Sequence, residues 1–442
     1  MSEFIDEVPV DPSVGRVYAE GWQSWSPASW YPVTATGLRP DEEWQHLMRF
    51  RPGTPLAESG LQAEGLLVVD PGDGRPARRY GTTDLGDVPT LHAELHGDHV
   101  VVRSTGPVET RDHAAGGEAA LAAYGDQVGV SLLAPPPRVW CSWYRYFEEV
   151  TAADVTENLL AFDEHALPVD VVQVDDGWSA GLGEGLQPSP RFGDLAGLFD
   201  QVRTSGRRAG IWLAPFLVGA QTTLAAEHPD WLVGPAGRNW GDELLGLDLT
   251  HPGVRDLLTV ALQRLVGLGV DYLKLDFLYA GAVPGERHDG TDPVAAYRSG
   301  LSLVREVVGP DVTLVGCGAP LLPSVGLVDV MRVSPDTFHE GGEDGSTGLR
   351  GLRTLAARAW QQGRLWVNDP DCVVARPSYS ERERWADAAL VYGGLRSFSD
   401  RVSELDGWGL DTVRRLLEDG GSAAPTAALS DTASSPDSSS WA

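Results

Sequence analysis

Two charged side chains lie two residues apart in the short apolar segment at residues 270–277, Val-Asp-Tyr-Leu-Lys-Leu-Asp-Phe. In a strand, Lys274 and Asp276 would point to the same face, because successive side chains alternate between faces. Lys274 is the only lysine in the chain, and every other basic side chain apart from histidine is arginine. Because a lone buried charge is costly, the segment indicates either a structural ion pair or a charged functional site.

Other polar clusters also follow short apolar segments. They are Cys141-Ser142-Trp143, Asp175-Asp176, Trp212, Cys317, Arg332 with Asp336, and Asn368-Asp369-Pro370-Asp371-Cys372. Each has an ordinary explanation: paired aspartates cap helices, Asn-Asp-Pro forms turns, and cysteine fills cores. Six acids, one lysine and one arginine converging on one region are difficult to explain by structure alone, which favours a functional site.

The residue types favour carbohydrate chemistry. Carboxylates can act as nucleophile and as acid/base, tryptophan can stack on a sugar ring, and the other polar groups can bind hydroxyls, as glycoside hydrolysis requires. The sequence contains no Cys/His cluster with zinc spacing, no phosphate-binding loop and no dinucleotide-binding glycine pattern. The histidines avoid the ends of the apolar segments, which disfavours a catalytic triad. We therefore expect no metal and no cofactor.

Eight apolar segments after residue 136 predict β-strands that alternate with helices. We place the strands at 139–143, 169–174, 209–215, 270–276, 312–317, 328–333, 364–368 and 395–398. Helices are predicted after the Thr151/Asp154 capping pattern and at 257–268, 293–308, 349–361 and 379–391. The connection at 319–327 is too short and proline-rich for a good helix. This alternation predicts an α/β fold, a (β/α)8 TIM barrel with its chemistry at the carboxyl ends of the strands. An open doubly wound sheet is the alternative.

The first 135 residues predict an N-terminal antiparallel β-rich domain, similar to a shortened β-sandwich. Gly, Pro and Asp separate its short apolar segments, at 66–69, 99–103 and 127–132. The stiff run Ala134-Pro135-Pro136-Pro137 sets the predicted boundary, so that residues 136–420 form the barrel. Residues 421–442, rich in Ser, Ala, Asp and Thr, are predicted to be a disordered tail. Two roles stay open for the N-terminal tryptophans Trp22, Trp25 and Trp30. They fill this domain, or they reach the neighbouring site.

The chain of 442 residues is acidic, with 34 Lys and Arg against 63 Asp and Glu and a formal net charge of −29. We therefore expect no nucleic acid and no anionic membrane as partner, whereas a small neutral oligosaccharide is compatible with this charge. No apolar stretch is long enough to span a membrane, and residues 1–7 do not resemble a secretory signal. Three cysteines without zinc spacing predict reduced thiols in the cytoplasm.

Five short motifs occur in an order that is typical of one enzyme family. They are Val-Asp-Asp-Gly-Trp at 174–178, Lys-Leu-Asp-Phe at 274–277, Cys-Gly at 317–318, Arg-Val-Ser-Pro-Asp at 332–336 and Asn-Asp-Pro-Asp at 368–371. This order resembles the α-galactosidase (melibiase) clan of retaining glycoside hydrolases, and most of all glycoside hydrolase family thirty-six. The resemblance covers about 138–400 and the segment at 21–27, which is similar to part of that family's N-terminal β-domain.

The resemblance implies the catalytic pair. Asp276 matches the family's nucleophile and Asp336 its acid/base, which implies release of terminal α-linked galactose from raffinose- or melibiose-type substrates through a covalent glycosyl-enzyme. The two carboxyl groups of such a retaining pair lie about 5–5.5 Å apart. The ammonium of Lys274 would help to keep the nucleophile ionised, and neighbouring carboxylates would raise the pKa of Asp336.

The resemblance also implies the groups that bind the sugar. Asp175 and Asp176 match an acidic pair that holds the 4- and 6-hydroxyls. Lys274 matches a lysine that hydrogen-bonds ring hydroxyls, and Arg332 matches an arginine near the 2-hydroxyl. The walls of the sugar pocket match three further positions: Trp212, Cys317 and Asp371.

Several alternatives remain. Gly-Ala-Pro follows Cys317 where many relatives have a glycine-rich run, and Pro335 replaces an acid, so hydrolysis and transglycosylation both stay open on the leaving-group side. Little sequence follows the eighth predicted strand, so we expect the family's usual C-terminal β-domain to be missing, and a homo-oligomer stays compatible with the sequence. The other hypotheses are a related α-glycosidase or galactosyltransferase of different sugar specificity, an inactive carbohydrate-binding protein, and an aldolase-like barrel with a Lys274 Schiff base. The last is disfavoured because the neighbouring acid keeps the amine protonated.

Overall fold

The computed structural model describes residues 2–37, 43–130, 135–182, 188–239, 241–338 and 342–418. The strands in these residues are β1 (Glu3–Pro9), β2 (Arg16–Ala19), β3 (Ser29–Pro32), β4 (Leu61–Glu64), β5 (Leu66–Asp70), β6 (Ala77–Gly81), β7 (Thr90–His96), β8 (His99–Ser104), β9 (Glu109–His113), β10 (Arg138–Cys141), β11 (Val171–Val174), β12 (Arg208–Leu213), β13 (Leu217–Gly219), β14 (Leu232–Asn239), β15 (Asp242–Leu247), β16 (Val270–Leu275), β17 (Thr313–Gly316), β18 (Val330–Arg332), β19 (Val367–Asp369) and β20 (Arg396–Phe398). The α-helices are α1 (Glu43–Arg49), α2 (Gly117–Val128), α3 (Trp143–Tyr146), α4 (Ala152–Glu164), α5 (Leu195–Thr204), α6 (Thr223–Glu227), α7 (Pro252–Gly267), α8 (Pro293–Val308), α9 (Leu321–Ser324), α10 (Leu352–Ala357), α11 (Arg382–Tyr392) and α12 (Gly407–Glu418). None of the described helices is long and apolar enough to cross a membrane.

Two antiparallel sheets form the N-terminal region, as predicted. Their strand orders are β1-β8-β7-β4 and β3-β2-β5-β6-β9. Alternating apolar side chains of both sheets enclose a separate small core, which includes Val17, Val69 and Val102. This arrangement is that of a small β-sandwich, in which each sheet buries one face against the other.

The predicted strand at 127–132 is wrong where the structure describes it. Gln127 and Val128 end helix α2, whose buried residues include Ala120, Leu121 and Tyr124. Four alanines precede the misinterpreted segment, and alanine has the strongest helix propensity, so the helical tendency extends through Val128. Residues 131–134 lie outside the described residues.

Eight parallel strands form the barrel, in the order β19-β18-β17-β16-β12-β11-β10-β20. The seventh and eighth strands meet through Asn368, whose carbonyl oxygen accepts from the N–H groups of Gly394 at 2.8 Å and Leu395 at 2.9 Å. This contact makes the sheet a nearly closed ring, so the barrel prediction is confirmed and the open doubly wound sheet is excluded. Each predicted strand exists, with bounds that differ by a few residues.

The amino-terminal ends of the barrel strands are apolar. Their side chains form one buried cluster inside the ring: Val139, Val171, Tyr272, Val315, Val330, Val367 and Leu395. The polar clusters at the opposite, carboxyl-terminal ends of the strands therefore lie next to a packed apolar layer that fills the interior of the barrel. This is the arrangement in which a barrel carries its chemistry at one mouth.

The predicted helices are present, with some corrections. The Thr151 hydroxyl and the Asp154 carboxylate form a capping box at the start of α4. Helix α8 has the predicted bounds, α7 begins five residues earlier than predicted, at Pro252, and the proline-rich connection contains only the single turn α9. The sequence did not predict the small antiparallel sheet β13-β15-β14, which is inserted between β12 and β16.

Strand pairing changes from antiparallel to parallel between β9 and β10. The predicted boundary at 135/136 falls within this interval and stays a prediction. The predicted tail at 421–442 lies outside the described residues.

Candidate active site

Asp276 directly follows strand β16 and is held by three hydrogen bonds. Its N–H donates to the carbonyl oxygen of Leu213 at 2.7 Å. The indole Nε1–H of Trp212 donates to carboxylate Oδ2 at 3.0 Å, and the N–H of Phe277 donates to Oδ1 at 2.8 Å. Phe277 has a φ of 51°, in the left-handed region that a bulky side chain rarely adopts. The strained turn and the two donors fix the orientation of a carboxylate that is only 8% exposed.

Lys274 on β16 forms an ion pair with Asp175, which follows β11, two strands away in the barrel. Its Nζ lies 2.9 Å from Asp175 Oδ2. The same oxygen accepts from Gln173 Nε2 at 2.5 Å and lies 3.3 Å from Cys141 Sγ. Burial lowers the pKa of Lys274, but acidic neighbours, led by Asp175, outweigh it and hold the pKa well above its usual value. The ammonium therefore stays protonated, which disfavours a Schiff-base role.

Asp176 is a second buried carboxyl group beside this pair. Its Oδ1 accepts from the N–H of Gly177 at 2.7 Å. Burial raises the pKa of Asp176 to about 7, and the negative charge of Asp175 adds to the increase. Gly177 has a φ of 100°, and a Cβ there would lie 2.4 Å from the Glu148 carbonyl oxygen, so the turn that carries Asp176 requires glycine.

Arg332 joins two carboxylates at the end of β18. Its Nη2 lies 2.7 Å from Asp336 Oδ1 and 2.5 Å from Asp371 Oδ2, and its Nη1 lies 3.9 Å from Cys317 Sγ. The Arg332 side chain is 1% exposed, whereas that of Asp336 keeps 41% of its surface accessible. A buried cation therefore fixes one oxygen of a carboxylate that stays partly accessible.

Asp371 is surrounded by donors from the protein. Its Oδ2 accepts from the N–H of Thr337 at 2.7 Å and from the Thr337 hydroxyl at 2.9 Å, and the hydroxyl of Tyr144 also donates to it. Its Oδ1 accepts from the N–H of Cys372 at 2.8 Å. These contacts tie Asp371 to the residue that follows Asp336, an arrangement suited to positioning the Asp336 loop.

Asp276 and Asp336 belong to one electrostatic cluster. Partial burial raises the pKa of Asp336, the charge of Asp276 raises it further, and Arg332 opposes both effects. The direction agrees with the expectation for an acid that must hold a proton for part of its cycle. The separation of about 5–5.5 Å expected for a retaining pair stays a prediction.

One of the three N-terminal tryptophans, Trp25, contacts the residue that follows Asp276. The ring of Trp25 lies edge-on to Phe277, with centroids 5.4 Å apart. The segment that carries it docks on the loop after the fifth barrel strand, where the N–H of Ser24 donates to the Ala319 carbonyl oxygen and the N–H of Ala319 donates to the Ser24 hydroxyl, both at 3.1 Å. Trp22 and Trp30 lie elsewhere, under the guanidinium groups of Arg51 and Arg16.

A buried arginine locks this N-terminal segment to the barrel. Arg358 Nε donates to Glu20 Oε1 at 2.8 Å, and both side chains are at most 1% exposed. Its remaining N–H groups donate to four carbonyl oxygens, at distances of 2.8–3.3 Å: those of Gln23, Ser24, Ser26 and Val333. Because Val333 immediately follows Arg332, the lock connects the Trp25 segment with the strand end that carries Asp336.

All nine residues predicted from the sequence lie at or next to the carboxyl ends of barrel strands. The sequence did not predict the positioning role of Gln173, Tyr144 and Thr337, which hold Asp175 and Asp371 in place. A signal was present, because each lies within three residues of a cluster that was identified. No group of three or more His, Cys, Asp or Glu that could hold a metal ion occurs in the part of the chain that the structure describes.

A nearly closed parallel barrel, with Asp276 after its fourth strand and Asp336 after its sixth, is the arrangement of barrel glycoside hydrolases. The Melibiase family model matches residues 139–304. An α-galactosidase from Thermus thermophilus, solved with p-nitrophenyl α-D-galactopyranoside, is 30% identical with a TM-score of 0.78, and the alignment covers 94% of this chain and 89% of that chain. The chain therefore belongs to the melibiase family of α-galactosidases.

More distant relatives agree in fold. The α-galactosidase AgaA from Geobacillus stearothermophilus is 30% identical over 159 residues, which are 31% of this chain and 21% of that protein. Its structure has a TM-score of 0.62 at 14% identity and covers 93% of this chain and 61% of that chain. The aligned segment of the bifunctional α-galactosidase/sucrose kinase AgaSK from Mediterraneibacter gnavus is 28% identical and spans 32% of this chain and 17% of that protein. The chain thus matches only about a fifth of such curated relatives.

Proposed function

We propose that this protein hydrolyses terminal α-galactosides of the raffinose and melibiose type by a retaining mechanism. The observation that carries the proposal is the contrast between two carboxylates at one mouth. Asp276 is buried and accepts two oriented hydrogen bonds, whereas Asp336 is partly open, has a raised pKa and is held by Arg332. A retaining glycosidase requires one ionised nucleophile and one carboxyl group that exchanges its proton.

In the proposed reaction, a carboxylate oxygen of Asp276 attacks the anomeric carbon while Asp336 protonates the departing glycosidic oxygen. The bond to the leaving group breaks and a covalent galactosyl ester forms on Asp276. Asp336, now ionised, takes a proton from water, and the resulting hydroxide equivalent cleaves the ester at the anomeric carbon. Two inversions give galactose with the α-configuration of the substrate.

The other matched residues form the proposed sugar pocket. The Lys274–Asp175 pair presents a fixed ammonium and carboxylate to ring hydroxyls, and Asp176 adds a further buried carboxyl group. Trp212 fixes the nucleophile through its indole N–H and supplies an apolar wall. We assign Asp371 to positioning the Asp336 loop, since the hydrogen bonds of its carboxylate go to protein groups.

A relative that is similar over most of this chain supports the proposal in addition to the short motifs. The Thermus thermophilus α-galactosidase was also solved in complex with stachyose, an oligosaccharide; in that comparison the identity is 31% and the alignment covers 94% of this chain and 93% of that chain. An oligosaccharide with a terminal α-galactosyl unit is accordingly the proposed substrate class here.

The primary test is turnover of p-nitrophenyl α-galactoside by the wild type and by Asp276→Asn. The substitution keeps the size of the side chain but removes the nucleophile, so kcat should fall on the order of a thousandfold or more. Asp256→Asn, at an exposed position of α7, is the matched control and should retain activity. Wild-type activity in Asp276→Asn would exclude the assignment. Proton NMR of the first product should detect α-galactose, and β-galactose would exclude retention.

Asp336 has its own test. Asp336→Asn removes the acid that protonates the leaving group, so melibiose, whose leaving sugar is a poor leaving group, should lose more kcat/KM than p-nitrophenyl α-galactoside. Equal losses on both substrates would argue that Asp336 does not act as the acid.

A second candidate follows from one relative with a different substrate. An α-xylosidase from Emericella nidulans is 26% identical over 257 residues, which are 54% of this chain and 32% of that protein. A panel of aryl α-galactosides, α-xylosides and α-glucosides separates the two functions. The proposal requires the highest kcat/KM on the galactoside.

We also propose that the protein acts in the cytoplasm, because its three cysteines are free and buried, as expected for a reducing compartment. Formation of a homo-oligomer stays a prediction, which light scattering would test.

A further inference from the structure

Phe338 lies two residues after the proposed acid/base Asp336 and is only 4% exposed. Its ring packs against three other aromatic rings. The distances between ring centroids are 4.6 Å to Tyr144, 5.5 Å to Tyr379 and 6.2 Å to Phe147. Aromatic rings that attract each other have centroids about 4.5–7 Å apart. The chain directly after Asp336 is therefore held by buried aromatic contacts on more than one side.

The three rings come from other parts of the barrel. Tyr144 is in the short helix α3, which follows the first barrel strand, and Phe147 directly follows that helix. Tyr379 lies between the seventh barrel strand, β19, and helix α11. Phe338 itself follows the sixth strand, β18. Its ring therefore connects the loop that carries Asp336 with the segments after the first and the seventh strands.

A buried cation also contacts this ring. The guanidinium carbon of Arg376 lies 5.9 Å from the ring centroid of Phe338, within the range of a cation–π contact. Arg376 Nη1 pairs with Asp400 Oδ1 at 3.2 Å, and the two side chains are 9% and 0% exposed. Asp400 Oδ2 accepts from the N–H of Ala375 at 2.7 Å. Because Asp400 follows the eighth strand, β20, the cation on Phe338 is fixed by the last strand of the barrel.

Thr337, between Asp336 and Phe338, is held by the same two tyrosines. Its N–H donates to the hydroxyl oxygen of Tyr144 at 3.1 Å, and the hydroxyl of Tyr379 donates to its carbonyl oxygen at 3.5 Å. On the other side, Arg332 Nη2 lies 2.7 Å from Asp336 Oδ1. The direction of the Asp336 carboxyl group is thus set by an ion pair to a residue before it and by a packed ring after it.

We propose that Phe338 is a positioning residue for Asp336: its packed ring holds the Asp336 carboxyl group where it protonates the glycosidic oxygen. This inference rests on the proposed function, because the position of Asp336 matters only for a substrate whose leaving group takes a proton. A displacement of about 1 Å can cost a hundredfold in rate when a reaction depends on the geometry of a catalytic group. Phe338 acts through Asp336 and not on the substrate.

Two aryl α-galactosides with aglycones of similar shape test this role. p-Nitrophenol departs with little help from an acid, whereas phenol is a poorer leaving group and depends on protonation. The measured quantity is the ratio of kcat/KM for phenyl α-galactoside to kcat/KM for p-nitrophenyl α-galactoside. A partial loss of folded protein lowers both values equally and leaves the ratio unchanged. A displaced Asp336 lowers the ratio, because the phenyl substrate depends more strongly on its proton.

Phe338→Leu keeps an apolar side chain but removes the ring, so the ratio should fall about tenfold. Phe338→Met should lower the ratio in the same way, because its flexible side chain fills an apolar gap without replacing the planar ring. Phe199→Leu is the matched control, since it removes a buried ring from helix α5, which packs on β12. Its ratio should equal that of the wild type.

A double variant shows whether the ring acts through Asp336. In Asp336→Asn the acid is already absent, so the addition of Phe338→Leu should leave the ratio unchanged. A further fall of the same size in this background would overturn the positioning role, because the ring would then affect the reaction by another route.

Failure of this inference and failure of the proposed function are distinguishable. If the wild type hydrolyses neither aryl α-galactoside, the proposed function is wrong. If the wild type hydrolyses both, but Phe338→Leu and Phe338→Met keep the wild-type ratio, only the positioning role of Phe338 is overturned.

Discussion

Replacing Arg358 with methionine should strongly destabilise the protein, because it leaves a buried acid without its cation. Arg358 is 0% exposed, Glu20 is 1% exposed, and their side chains meet at 2.8 Å. Removing one partner of a buried ion pair typically costs about 3–5 kcal/mol. Glu20 keeps donors from Tyr18, Gly21 and Gln361, at 2.7, 2.9 and 3.0 Å. These donors partly stabilise the orphaned carboxylate, so we expect about 3 kcal/mol, near the lower end of that range.

Urea denaturation, followed by tryptophan fluorescence and circular dichroism, measures this cost. The midpoint should fall in Arg358→Met without a change in slope. The double variant Glu20→Gln/Arg358→Met removes the unpaired charge and should recover part of the loss. Arg414→Met is the control: Arg414 pairs with Asp411 at the surface, where the side chains are 37% and 81% exposed, and such a pair contributes little.

The same variant should also affect activity under conditions where it is fully folded. Arg358 holds the carbonyl oxygens of the segment that carries Trp25 and that of Val333, so its loss loosens both walls around Asp276 and Asp336. We expect kcat/KM to fall more than the folded fraction does. A stability change below about 1 kcal/mol, or full kcat/KM in the variant, would refute the idea that this arginine locks the two regions together.

Three other perturbations have predictable results. Burial raises the pKa of Asp176 from 3.8 to about 7, so between these pH values the folded protein binds more protons than the unfolded chain. The free energy of unfolding should therefore fall as pH rises through this window. Urea denaturation at pH 5 and pH 8 should find a smaller fall in Asp176→Asn than in the wild type. Trp212→Phe keeps the aromatic wall but removes the 3.0 Å hydrogen bond to Asp276, so kcat on p-nitrophenyl α-galactoside should fall about 10- to 100-fold, and an unchanged kcat would contradict the orienting role. Asp371→Asn should lower kcat more than it raises KM, because Asp371 positions the Asp336 loop; a change in KM alone would indicate direct sugar binding instead.

The barrel was predictable because its signals are local. Each of the eight strands is a short apolar segment, and the residues after it differ sharply from the Val- and Leu-rich residues at its start. Alternation of side chains predicts Lys274 and Asp276 on one face, and the capping pattern correctly starts α4 after Thr151. The misassigned segment at 127–132 is the converse case, since its valines suggested a strand while helix propensity and packing on the sheet produced the end of α2.

Partners that lie far apart in the chain were not predictable. Lys274 pairs with Asp175, 99 residues away, and no periodicity or spacing encodes that contact. The contact of Arg358 with Glu20 spans 338 residues, and the docking of Trp25 depends on how one region meets another. Family motifs matched Asp371 to the sugar pocket, but its hydrogen bonds to Thr337 and Tyr144 become visible only once the barrel closes.

The most direct test of the central claim is the site of covalent labelling by a fluorinated α-galactosyl inactivator whose enzyme adduct hydrolyses slowly. Mass spectrometry of the labelled protein and of its peptides should find one added glycosyl group, on Asp276, and none in Asp276→Asn. An adduct on another residue would contradict the account. Hydrolysis of α-galactosides that forms no adduct and gives a product of inverted configuration would also contradict the account.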